Sequence, residues 1–154
     1  CNATKTELRY VDRSAKWWQT NFPDAEISYF TAGIGATTSQ IGVARVQEHV
    51  LDKQPDLVFV EFSVNASSSP LFMETYESLV RRLLKAESVK AVVLINNLFY
   101  NTGTNAQGIH NAIGLHYDLP IVSVRNYIFP EIQLGNVCLA DYTADMLHPT
   151  DLGH

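Results

Sequence analysis

Apolar residues recur along the chain in two alternating patterns. In some segments they are spaced three or four residues apart, which is the period of a helix with one buried face. Between these segments lie short apolar or β-branched runs, which are typical of buried strands. The helical pattern covers residues 6–22, 39–51, 70–86 and 106–117, and the strand pattern covers residues 26–31, 57–62, 89–95 and 120–124. The sequence therefore predicts helices and strands in regular alternation.

This alternation predicts the fold class. Strands that are joined through helices pair in parallel, so we expect an α/β fold with a doubly wound parallel sheet and helices on both faces. After Arg125 the period is lost, and residues 141–154 are predicted to form a loop. Ligands of such sheets bind at the carboxyl ends of the strands. The segments to search are therefore residues 32–38, 63–69, 96–105 and 141–148.

Composition narrows the possible partners. The chain has 154 residues, of which 46% are hydrophobic, so one domain can bury a core without disulfides or metals. The net charge is −5 and the basic residues are scattered, which argues against nucleic acid as a partner. No apolar run approaches the roughly 20 residues of a membrane span. Cys1 and Cys138 lie in no Cys/His cluster, so neither a disulfide framework nor a metal site is predicted.

Asp145 and His148 are the first candidates for chemistry. Their spacing of three residues allows the carboxylate to hold one ring nitrogen of His148 while the other nitrogen faces a substrate. This is the pairing of base and orienting acid that nucleophilic hydrolysis uses. The alternative is an Asp that caps a turn, with a His nearby by chance.

Two further segments contain candidate hydrogen-bond donors. Asn65 follows the most apolar predicted strand, where its amide could stabilise an oxyanion, although an Asn that closes a loop is the alternative. Gly35 and Ala36 lie in a glycine-containing turn after residues 26–31. Its backbone N–H groups could point into a site, or the turn could serve tight packing between strand and helix. It lacks the GxxxxGK pattern of a phosphate loop.

Taken in order, three segments resemble conserved blocks of the SGNH hydrolases, the GDSL-type esterases and lipases. Residues 31–40 resemble the second block, residues 61–65 the third, and residues 145–149 the fifth. The resemblance implies a flavodoxin-like three-layer α/β/α fold and a serine esterase that needs no cofactor. It also implies His148 as general base, Asp145 as the residue that orients it, and an oxyanion hole formed by Asn65 with the backbone of Gly35 or Ala36. The implied substrate is a small acyl ester, including acetyl groups on sugars.

The chain departs from this family pattern in one major respect. The first block, Gly-Asp-Ser with the nucleophile, has no counterpart. We expect the serine, and the first strand that carries it, to lie upstream of Cys1, so that residues 1–154 are one SGNH-type domain truncated at both ends. Two alternatives stay open: a non-catalytic flavodoxin-like relative that binds a ligand, and a receiver or nucleotide-binding module, which would lack its phosphate loop and acidic cluster.

Overall fold

A computed structural model describes residues 3–154. The six helices of this part of the chain are α1 (Tyr10–Asn21), α2 (Ser39–His49), α3 (Pro70–Lys85), α4 (Gln107–His116), α5 (Val124–Gln133) and α6 (Leu139–Tyr142). Its strands are β1 (Leu57–Glu61), β2 (Ala91–Asn96) and β3 (Ile121–Ser123). Cys138 is an exposed free thiol, and Cys1 lies outside the described residues. None of the described helices is long and apolar enough to span a bilayer.

The described residues form two compact units. Residues 3–33 and Glu131–His154 form the first, which we call the terminal unit, and Ile34–Pro130 form the second, which we call the sheet unit. The single domain predicted over residues 1–154 stays a prediction.

The sheet unit contains three parallel strands in the order β1-β2-β3. Leu57 aligns with Ala91 in the first pair of strands, and Asn96 aligns with Ser123 in the second. Helix α3 packs on β2, and α4 packs on β2 and β3. The predicted α/β class and parallel sheet are confirmed. The register brings the carboxyl ends of β1 and β2 side by side, where parallel sheets present their sites.

The core of the sheet unit lies between this sheet and helices α2, α3 and α4. Successive strand residues point to opposite faces, so Val60 and Leu94 are buried while Phe59 is 47% exposed. Helix α3 begins with Pro70 in its first turn, where proline's missing N–H is tolerated. Its apolar residues then recur at helical spacing and place Tyr76 and Leu83 in the core. This packing fixes the loops that follow β1 and β2.

The strand predicted over residues 26–31 is wrong. This segment has no regular secondary structure and forms no sheet pair with any described residue. Side chains of α1 hold it instead: Gln19 Nε2 donates to the Ile27 carbonyl oxygen at 3.1 Å, and Asp12 accepts a 2.7 Å hydrogen bond from the Tyr29 hydroxyl. Composition favoured a strand, but a strand also requires a neighbour whose backbone groups are free to pair.

The loss of pattern after Arg125 concealed helix α5. This helix contains Pro130, which removes a backbone donor and disfavours helix in a sequence-based prediction. Of its residues only Ile128 is buried, and Tyr127 is 79% exposed, so no apolar stripe marks it. The loop predicted over residues 141–154 is correct from Thr143 onward, because α6 ends at Tyr142.

Candidate active site

Asp145 and His148 are joined by a short hydrogen bond in the terminal unit. The distance from His148 Nδ1 to Asp145 Oδ2 is 2.6 Å. An ionised carboxylate can only accept, so the proton lies on Nδ1, and Nε2 carries the lone pair that a general base needs. Nε2 makes no hydrogen bond to any other described residue. Nearly half of each side chain is exposed, 47% for His148 and 48% for Asp145, which leaves the ring accessible to a reactant.

The loop around this pair is closed by the backbone. Thr143 and Pro149 form an antiparallel bridge, and the Thr150 N–H donates to the Tyr142 carbonyl at 2.9 Å. Within the loop, Met146 adopts a left-handed conformation with φ +67°. This conformation is uncommon for a residue with a side chain, and it turns the chain sharply enough for His148 to approach Asp145. This turn brings Asp145 and His148, three residues apart in sequence, within hydrogen-bonding distance.

Asp145 has two tasks in this loop. Its Oδ1 accepts backbone N–H groups from Leu147 at 3.1 Å and His148 at 2.7 Å, while its Oδ2 binds the imidazole. Hydrogen bonding from the His148 ring, and then from the two backbone groups, holds the pKa of Asp145 well below its usual range. The Asp145 carboxylate therefore both caps the turn, through Oδ1, and orients the His148 ring, through Oδ2. The catalytic role of the pair stays a prediction.

Asn65 lies in the turn that follows β1 in the sheet unit. Phe62 begins this turn, and its carbonyl oxygen accepts the N–H groups of Asn65 at 3.2 Å and Ala66 at 3.0 Å. The Asn65 side chain is exposed and makes no hydrogen bond to the described part of the chain. Its amide is therefore available to an oxygen of a bound substrate.

The neighbouring Asn96 is unsuited to that task. It is fully buried, its Nδ2 donates to Asn111 Oδ1 at 2.9 Å, and its Oδ1 lies 3.1 Å from His110 Nδ1. Burial lowers the pKa of His110 to about 4, so this ring is neutral at pH 7 and its Nδ1–H donates to Asn96. The ring of Tyr76 stacks on the imidazole of His110, with the two ring centroids 3.7 Å apart. Asn96 is thus a core residue.

The turn at Gly35 and Ala36 has an unusual backbone. Ala36 has φ +57°, in the left-handed region that glycine enters without a steric penalty. The Thr37 hydroxyl donates to the Ile34 carbonyl at 2.7 Å and closes the turn. A side chain added at Gly35 would meet nothing within 4 Å. The structure thus places Gly35, Ala36 and Asn65 in the sheet unit, and Asp145 and His148 in the terminal unit.

Comparison with known proteins finds similar chains among the solved structures. No protein-family model matches the chain, and no curated protein matches it. Among solved structures, a two-domain esterase (CEX) active on acetylated mannans, co-crystallized with mannopentaose, matches with a TM-score of 0.97 and 47% sequence identity over 99% of the chain. This match supports the SGNH esterase superfamily that the three sequence blocks imply. It spans 42% of the length of that two-domain esterase.

Two more distant solved structures share the fold. The acetyl xylan esterase AlAXEase has a TM-score of 0.79 at 18% identity, with 96% of this chain and 85% of that chain covered. A catalytic mutant of Axe2, an acetylxylan esterase from Geobacillus stearothermophilus, has a TM-score of 0.78 at 20% identity, with 94% and 75% covered. Among the described residues no group of three or more His, Cys, Asp or Glu side chains could hold a metal ion.

The left-handed backbone of Ala36 gives a testable consequence. Replacing Ala36 by Gly should stabilise the protein by about 0.5–1 kcal/mol, because relief of the left-handed strain outweighs the greater freedom of glycine in the unfolded chain. Turnover should stay within about tenfold, since the backbone N–H is retained. Urea denaturation of wild type and variant measures the change.

Gly35→Ala provides the matched control for that measurement. Gly35 is not among the residues of positive φ, and an added methyl group meets open space. This substitution should change stability by less than about 0.5 kcal/mol. Destabilisation by Ala36→Gly would show that the turn has another conformation in solution.

Proposed function

We propose that residues 1–154 belong to a serine esterase that removes acetyl groups from carbohydrates. The observation that carries this proposal is the 2.6 Å hydrogen bond between His148 Nδ1 and Asp145, which leaves Nε2 as the acceptor. Among the described residues, the exposed imidazole of His148 makes no core contact that would explain it as a structural residue, and a general base must be exposed in this way. The esterase at 47% identity, which is active on acetylated mannans, supports the substrate class.

The proposed reaction has two stages. In the first, Nε2 of His148 takes the proton of a serine hydroxyl as that oxygen attacks the ester carbonyl; the imidazolium then returns the proton to the departing sugar oxygen. In the second, Nε2 takes a proton from water, the resulting hydroxide attacks the acetyl-serine, and acetate leaves while serine regains its proton. Asp145 stabilises the imidazolium in both stages. Asn65 and the backbone N–H of Gly35 or Ala36 donate to the carbonyl oxygen as it becomes negative.

The nucleophile of this scheme is proposed to lie outside residues 1–154. The sequence contains no Gly-Asp-Ser block, and several of its serine hydroxyls are hydrogen-bonded within the protein. Ser14 Oγ donates to the Tyr10 carbonyl at 2.7 Å, and Ser39 Oγ lies 2.8 Å from Thr75 Oγ1. Ser123 Oγ donates to Gln107 Oε1 at 2.8 Å. Each of these hydroxyls is hydrogen-bonded to a residue of its own unit, which supports a serine from another segment.

Labelling with a fluorophosphonate tests this proposal. The full-length gene product should react at one serine outside residues 1–154 and should hydrolyse p-nitrophenyl acetate, whereas residues 1–154 alone should do neither. Peptide mapping by mass spectrometry locates the label. Equal labelling of the short chain would place the nucleophile among its own serines, and a full-length protein that is neither labelled nor active would favour the non-catalytic ligand-binding alternative.

The acetylated-carbohydrate substrate is tested separately. Acetate release by the full-length gene product should be faster from acetylated mannan or acetylated xylan than from triglycerides of short acyl chains. Faster cleavage of the triglycerides would retain the esterase and reject the carbohydrate.

A further inference from the structure

We propose that Ser63, held by Glu61, is a positioning residue that fixes the Asn65 turn for oxyanion stabilisation. This inference rests on the proposed function, because Asn65 is there assigned as the side-chain donor. Glu61 and Ser63 both lie in the segment that resembles the third block, and the sequence alone assigns neither of them a role.

Ser63 is a fully buried hydrogen-bonding centre. Its hydroxyl donates to Glu61 Oε1 at 2.6 Å, and its backbone N–H donates to the same oxygen at 2.8 Å. The hydroxyl oxygen also accepts the Asn97 N–H at 2.8 Å, and the Ser63 carbonyl accepts the Ala106 N–H at 2.8 Å. The Asn97 carbonyl oxygen lies 3.3 Å from Ser63 Oγ, which is a longer second acceptor. Both backbone groups and the side chain are thus satisfied, and the single hydroxyl proton is directed at a carboxylate.

These bonds join three separate parts of the sheet unit. Glu61 is the last residue of β1, Asn97 directly follows β2, and Ala106 directly precedes α4. Ser63 therefore connects the carboxyl ends of two neighbouring strands with the start of a helix. Buried polar groups that are fully paired resist displacement, because each broken bond leaves a desolvated donor or acceptor.

Asn65 depends on this arrangement because its own side chain provides no anchor. It lies two residues after Ser63, and its exposed amide has no hydrogen bond to the described residues. Its position is set by the backbone turn that begins at Phe62. Donors stabilise a transition state most when they are already oriented, so loosening the turn should reduce turnover more than it weakens substrate binding.

A double-mutant cycle in the full-length gene product tests the inference. Ser63→Ala should lower kcat about 10- to 100-fold, with KM changed less than threefold. In a protein that already carries Asn65→Ala, the same substitution should lower kcat less than threefold, because the donor that it orients is gone. Multiplicative losses in the double variant would show that Ser63 acts on general stability, and would overturn the inference.

Glu61 provides a second pair of variants from the other end of the same bonds. Glu61→Gln keeps an oxygen that can accept both Ser63 donors, and kcat should stay within about threefold of wild type. Glu61→Ala removes the acceptor and should reproduce the Ser63→Ala loss. Equal losses in Glu61→Gln and Glu61→Ala would mean that Glu61 contributes its charge to the site, and would contradict the positioning role.

A measurement that does not use activity separates this inference from the proposed function. The backbone ¹⁵N order parameters of residues 64–66 should fall in Glu61→Ala relative to Glu61→Gln, while those of helix α3 stay unchanged. If the wild-type protein has no esterase activity but these order parameters fall, the proposed function fails and the positioning of the turn stands. If wild type is active and the order parameters do not change, the inference fails alone.

Discussion

Replacing His148 by Ala in the full-length gene product is expected to lower kcat for an acetyl ester by about 10⁴–10⁶. The substitution removes the only group proposed to take a proton from serine and, later, from water. KM should change little, because the imidazole acts on protons in the transition state and provides little ground-state binding. Initial rates of acetate release at saturating substrate measure the loss.

Two further variants make that result specific. Asp145→Asn should cost about 10⁴, because its amide oxygen can still accept the backbone N–H groups but its NH₂ cannot accept Nδ1–H, which favours the wrong tautomer. His154→Ala is the matched control: this ring stacks on Tyr10, with centroids 6.0 Å apart, and its activity should stay within about threefold of wild type. Loss of activity in His154→Ala but not in His148→Ala would reject the assignment.

The sheet unit is the part of the fold that the sequence predicts well. The sequence predicts a helix over residues 70–86, and α3 spans Pro70–Lys85. It predicts a strand over residues 57–62, and β1 spans Leu57–Glu61. Both have strong local patterns that agree with their burial, since Tyr76 and Val80 face the core at helical spacing. Where local preference and tertiary packing favour the same structure, the sequence alone predicts the element and its bounds.

The terminal unit shows where such prediction stops. Residues 26–31 have β-forming side chains, but pairing depends on a strand elsewhere in the molecule, and local composition contains no information on that partner. The left-handed φ of Met146 is equally hidden, because methionine rarely adopts it and local composition does not indicate it. The three-residue spacing predicts the pairing of Asp145 with His148, whereas it offers the capping role of Asp145 only as an alternative.

The Ser63 network was missed although a signal for it exists. Glu61 is an acidic residue at the end of an otherwise apolar strand, and Ser63, a small residue with a hydroxyl group, follows two positions later. A carboxylate there needs donors, since burying a charge without partners is costly. Ser63 supplies both of these donors from two positions away. The rest of the network is hidden from the sequence, because the N–H groups of Asn97 and Ala106, which donate to Ser63, come from segments more than 30 residues away.

Asn65→Ala is expected to lower kcat by about 10²–10³, with little change in KM. The amide N–H should donate most strongly when the carbonyl oxygen carries negative charge, so its removal affects the transition state rather than substrate binding. Because Asn65 is exposed and its side chain makes no hydrogen bond to the described residues, stability should change by less than about 0.5 kcal/mol. Kinetics and urea denaturation on the same preparations separate the two effects.

Asn65→Asp sharpens this test because it preserves size while replacing a donor by a negative charge. A carboxylate beside the developing oxyanion repels it, so this variant should be at least as slow as Asn65→Ala. If instead both variants keep full activity, the side-chain donor is elsewhere. Asn96 is excluded as its replacement because its amide is bonded to Asn111 and His110 in the core. The search would then move to the backbone N–H of Gly35 and to Asn97.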